Sequence, residues 1–70
     1  MNYEELRVVM MRKKITNREM AAKLSLSEQA LYNKLNGVSE FKNSEIKKIT
    51  TLLDLSMDDV NLIFFDGTVN

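Results

Sequence analysis

Seventy residues make one small domain, and a make-up of 44% hydrophobic and 29% charged residues is that of an ordinary folded chain and not of a disordered tail. The chain has no Cys and no His, which removes disulfide staples, thiol nucleophiles and the usual zinc ligands and fits a reducing cytosol. Formal net charge is zero, no apolar run approaches the roughly 20 residues of a membrane span, and Met1-Asn2-Tyr3-Glu4-Glu5 is too polar for a secretory signal. The expectation is a soluble cytoplasmic domain without a membrane partner.

Pro is absent and Gly occurs only at positions 37 and 67, so little interrupts helices and an all-α fold of about five short helices is expected. A first helix, about 3–13, places Leu6, Val9 and Met10, with Tyr3, on one face. It ends in Arg12-Lys13-Lys14, which suits the negative end of a helix dipole and is equally compatible with phosphate contact. Thr16-Asn17-Arg18-Glu19 reads as a capping box, with Ile15 and Met20 placed for a hydrophobic staple. The second helix is then about 17–24, with Met20, Ala21 and Leu24 inward. Ser25-Leu26-Ser27 leaves room only for a tight turn.

Ser27 can cap a third helix, about 27–36, with Ala30, Leu31 and Leu35 inward. Asn36-Gly37 closes it, Gly37 being free to take the left-handed conformation of a C-terminal cap. After a loop anchored by Phe41, a fourth helix at about 43–54 carries Ile46, Ile49, Leu52 and Leu53 on one face. Ser56 with Asp59 starts a last short helix holding Val60, Ile63 and Phe64. Met10, Met11, Met20 and Met57 read as core or boundary filler. Charge is segregated along this order. All ten Lys and Arg fall between Arg7 and Lys48, an excess of four over the acids of the first fifty residues. The last twenty hold four Asp and no cation.

Two short helices joined by a three-residue turn form a helix-turn-helix, whose second helix can enter the major groove of DNA. Ala21 sits where the two helices approach most closely, and Leu26 with Leu31 closes the wedge between them. On the outer face of the third helix lie Glu28, Gln29, Tyr32 and Asn33. Gln and Asn can bind adenine in bidentate fashion, and Glu can accept from cytosine.

The run Thr16 to Gly37, TNREMAAKLSLSEQALYNKLNG, resembles the phage repressor and Cro helix-turn-helix family, the Xre-like group, with Thr16, Ala21, Leu26, Ser27 and Gly37 at the matching positions. The continuation LNGVSEFKNSEIKKITTLLDLSMDDV resembles the next two helices of such proteins from phages of low-GC Gram-positive bacteria, so the likeness covers about residues 3–65. It implies a lambda repressor-like bundle, one domain over 1–70 with its helix-turn-helix at 16–37. The departures are Ser25 at a turn position usually held by Gly, and apolar Met10 and Leu35 where many members pair Arg with Glu. Lys34 stands where an apolar residue is common.

Carried over by position, the base-contacting residues are Glu28, Gln29 and Asn33, with Tyr32 flanking. Asn17, Ser27, Lys34, Asn36 and Lys42 are the expected phosphate contacts. The implied activity is sequence-specific transcriptional regulation, as a dimer on a palindromic double-stranded operator, without cofactor, metal or small-molecule substrate. The acidic, apolar segment 55–70 leaves Leu62 and Phe65 as an exposed surface for a second copy or a partner regulator. The alternative reading is an anti-repressor, adaptor or antitoxin-like module that keeps the fold and acts by binding another protein, a reading fed by the zero net charge. No Gly-rich phosphate loop or paired carboxylates nominate a catalytic site, so an enzyme is not expected.

Overall fold

The computed structural model describes residues 1–65, which form five helices and no strand: α1 (Tyr3–Arg12), α2 (Asn17–Lys23), α3 (Glu28–Leu35), α4 (Asn43–Leu52) and α5 (Met57–Phe64). No helix among the described residues is long and apolar enough to cross a membrane. Four of the five starts are capped by a side-chain oxygen. Asn2, Thr16, Ser27 and Ser56 accept from the amides of Glu5, Glu19, Ala30 and Asp59. At Thr16 and Ser56 the acid returns the bond to the cap amide, so both capping boxes are closed. At α4 the Glu45 carboxylate accepts from the Lys42 amide, a box with no side-chain half on Lys42.

The first four helices share one ending. The residue after the cap turns left-handed at Lys14, Ser25, Gly37 and Asp54, with φ of 60°, 58°, 78° and 52°. Two amides then fold back on the last turn: Ile15 to the Met10 carbonyl and Lys14 to Met11, and likewise Leu26 to Ala21 and Ser25 to Ala22. The same pair recurs at Val38 and Gly37, and at Leu55 and Asp54. Each motif reverses the chain sharply. Ile15, Leu26 and Leu55, which follow three of these reversals, pack against the core. The helices therefore end one or two residues earlier than periodicity alone indicates at α1, α2 and α4. Gly37 is required for a second reason: an added Cβ would lie 3.2 Å from the Tyr3 ring.

The core gathers Leu6, Val9 and Met10 from α1, Met20 and Ala21 from α2, Leu31 and Leu35 from α3, Ile49 from α4, and Ile63 and Phe64 from α5, with Leu24, Phe41 and Leu53 from the connections. Met10 and Leu35 are both buried, so apolar packing fills the place where the resemblance puts an ion pair. Ala30, Ile46, Leu52 and Val60 are only half-buried. Met11 and Met57 are a correction: both are 77% exposed and fill neither core nor boundary. α2 lies against α3 and α1 against α5, and the Asn2 amide donates to the Ile63 carbonyl at 2.6 Å, tying the start of the chain to the end of the last helix. The segment 55–70 is described as far as Phe65; Asp66 and the residues beyond it lie outside the described residues.

Candidate nucleic-acid interface

α2 and α3 place a polar surface on the outside of a tightly packed corner. Ala21 is 2% exposed, and its carbonyl receives the Leu26 amide at 2.8 Å, so the turn closes directly on the helix it leaves. Any larger side chain at 21 would push the helices apart. Ser25 takes the left-handed turn and Ser27 caps α3 two residues later, which fixes where the outward residues of α3 begin.

Asn17 at the start of α2 and Glu28, Gln29 and Tyr32 of α3 line one shallow depression of about 240 Å³. Tyr32 is 58% exposed. Asn33 is half-buried and joins this set through Gln29, whose Nε2 donates to Asn33 Oδ1 at 3.1 Å. That bond leaves the Gln29 Oε1 acceptor and the Asn33 Nδ2 donors available, so the two amides form one unit carrying both kinds of group. The Ser27 hydroxyl oxygen is engaged in capping. At α2 the Glu19 carboxyl is held below its ordinary value of 4.5, first by the Thr16 amide and then by the Thr16 hydroxyl.

The structure separates three of the expected phosphate-contacting residues from this depression. Lys34 is the clear correction. It is 8% exposed, and its ammonium donates to the Glu45 carboxylate and to the Glu40 carbonyl, both at 2.9 Å. It also lies 5.9 Å from the centre of the Phe41 ring. Where the resemblance puts an apolar residue, the chain has an internally paired cation that joins α3 to α4. Burial by itself would raise the Glu45 carboxyl, but the bonds from the Lys42 amide and the Lys34 ammonium together outweigh it and pull the group below 4.5. Asn36 sits at the far end of α3, its Nδ2 donating to the Tyr32 carbonyl and its Oδ1 accepting from Arg7 at 2.7 Å. Lys42 is exposed at the start of α4.

Sequence reasoning passed over two residues that hold α3 in place. Arg7 reaches from α1 to the Leu35 carbonyl and the Asn36 side chain, which occupies an open end of the helix and sets it against α1. These partners lie 28 and 29 positions away, and nothing local announces them. Glu45 did carry a local signal, an acid three residues after the α4 cap position at Lys42, although its pairing with Lys34 did not.

A protein family described as "Protein of unknown function (DUF739)" matches residues 1–67, and the chain belongs to that family. No curated protein and no solved structure matches it.

Proposed function

We propose that this member of the family is a sequence-specific DNA-binding transcriptional regulator of the phage repressor and Cro type, acting in the bacterial cytoplasm. Residues 16–37 are its helix-turn-helix, set in a lambda repressor-like bundle, and α3 lies in the major groove. The observation that carries this reading is the α2–α3 corner itself, which combines a closed capping box, a tight four-residue connection (24–27), a second capped helix and an outward polar face.

The chemistry of that face supports direct reading of bases. Adenine presents the N7 acceptor and the N6 amino donor in the major groove. The hydrogen-bonded Gln29–Asn33 unit offers the complement, Gln29 Oε1 to accept from N6 and an amide N–H to donate to N7. Being already joined, the two side chains lose less freedom on binding than two independent amides. Tyr32 supplies apolar surface for a thymine methyl or a hydroxyl for phosphate. Glu28 suits only a cytosine N4, since a carboxylate facing phosphates repels them. At the backbone, Asn17 and the first-turn amides of α2 favour a phosphate, as does the Ser27 end of α3. Lys34 has no part in this contact, and Lys42 with Lys14, which borders the groove next to Asn17, remains available.

A single copy offers one recognition helix. Two copies on half-sites about 34 Å apart read a palindrome and double the contact. Leu62 and Phe65, 42% and 55% exposed on and just after α5, are the surface for that association. The same exposure, with zero net charge, favours the second reading of a module that binds another protein.

Gln29→Ala and Asn33→Ala test the assignment on a duplex enriched by the unaltered protein from a random pool. Each change removes about 1–3 kcal/mol of discrimination at one base pair, while thermal melts stay near those of the parent because both positions lie on the outer face. Unchanged affinity and base preference in both variants would remove the assignment.

A further inference from the structure

We infer that two copies of this chain associate reciprocally, the outer stripe of α5 in each copy docking into a lysine-rimmed groove between α2 and α4 of the other. The inference rests on the dimeric part of the reading above and names its interface. The groove, about 490 Å³, is lined by Lys23, Lys47, Lys48, Thr51 and Leu52. Its floor is mainly apolar, made by Leu52 and by lysine stems whose ammonium groups extend to water. The Thr51 hydroxyl is satisfied within its own helix by the Lys47 carbonyl at 3.2 Å. None of the three lysines forms an ion pair among the described residues. Lys23 has the Glu19 carboxylate one turn away on its own helix, so Lys47 and Lys48 are the rim charges left to answer, and with the apolar bed they call for an occupant that is acidic and apolar together.

The chain carries such an occupant. Asp58, Leu62 and Phe65 stand at i, i+4 and i+7, one stripe along α5 and its C-terminal cap, and all three are exposed. No cation follows Lys48 in the sequence, so nothing in this segment repels the groove. A phosphate backbone would answer the lysines but leave Leu52, Leu62 and Phe65 uncovered. The α5 stripe answers both, with Asp58 toward the rim and the two apolar side chains on the floor. Each copy owns one groove and one stripe, and in this reciprocal two-fold arrangement both are filled and no open end is left for further addition.

Sedimentation equilibrium without DNA, on the full chain, tests this. The unaltered protein sediments as a dimer. Lys47→Glu with Lys48→Glu raises the dimer dissociation constant at least about tenfold, since four rim charges per dimer are reversed and each lost pair contributes a few-fold. Asp58→Lys does the same, as does Leu62→Gln through the apolar floor. All four positions have exposed or half-exposed side chains, and far-UV circular dichroism of each variant matches the parent. Mixing the double glutamate variant with Asp58→Lys restores a dimer of one copy of each, because both docked pairs then join opposite charges. A parent that stays monomeric, a double glutamate variant that stays dimeric, or a mixture that fails to associate overturns the interface. So does loss of DNA binding in the double glutamate variant with its dimer intact, which would assign the lysines to phosphate. None of these outcomes bears on base recognition by α3, which the Gln29 and Asn33 variants report separately.

Discussion

Removing the Glu45 carboxylate should cost more than removing any other single charge among the described residues, because two groups depend on one oxygen. Oε1 accepts from Lys34 Nζ at 2.9 Å and from the Lys42 amide at 2.8 Å, with side-chain exposures of 8% for Glu45 and 10% for Lys34. In Glu45→Ala the Lys34 ammonium keeps only the Glu40 carbonyl and the face of Phe41. Breaking a buried pair from one side costs about 3–5 kcal/mol when the stranded charge has no recourse. Here the remaining partners and the flexible stem reduce that to about 2–4 kcal/mol. For a domain of this size the loss lowers the melting temperature by roughly 10–25 °C, a large part of total stability.

A double-mutant cycle with Lys34→Met and Glu45→Leu isolates the pair. Urea denaturation should give a coupling energy of at least about 1.5 kcal/mol, with the double variant more stable than the sum of the single losses implies. A coupling below about 0.5 kcal/mol, the level of an exposed pair, would refute the burial argument. So would a Lys34→Met variant that keeps its stability and loses DNA affinity. The pair also has a pH signature. The folded-state pKa of Glu45 lies below its unfolded value, so its contribution is complete above about pH 4.5 and is lost as pH falls through the lowered pKa. Glu19, lowered by its bonds from Thr16, acts in the same direction. In Glu45→Ala the acid limb of the stability profile should flatten.

Gly37→Ala combines a φ of +78° with a Tyr3 ring atom 3.2 Å from the new Cβ, and thermal melts should show a loss of about 1–2 kcal/mol. The reverse change, Ser25→Gly, relieves a side chain held at φ 58° and should raise the urea midpoint by the equivalent of about 0.5–1 kcal/mol. A fall would mean that Ser25 makes a compensating contact. Arg7→Met removes the bonds to the end of α3, and amide exchange near Leu35 and Asn36 should quicken by about tenfold, corresponding to a charged hydrogen bond of about 1.5 kcal/mol. Unchanged protection there would show that packing alone holds that end.

What the sequence made legible was local. The caps at Thr16, Ser27 and Ser56 stand three residues from their partners, so type and spacing reveal them. Gly37 announces its left-handed turn by being glycine. Lys14 and Asp54 perform the same turn, but an ordinary side chain gives no sign of it, so periodicity alone carries α1 and α4 past their true ends. The site divides along the same line. Gln29, Tyr32 and Asn33 share a face because of helical period alone. Asn17 joins Glu28, Gln29 and Tyr32 only through the packing of α2 on α3. Lys34 reads as solvated because a lysine on a helix gives no sign of its partner, and that partner lies 11 residues away on another helix. Met11 and Met57 show that an apolar side chain does not by itself choose an inward position.

The central claim, that α3 reads DNA, is tested most directly by selecting binding sites from a random duplex pool and repeating the affinity measurement across salt. The account predicts an enriched palindrome with half-sites one helical turn apart, and an affinity that falls steeply with salt as phosphate contacts release counterions. A pool that stays unenriched, with weak binding that varies little between sequences, would contradict it.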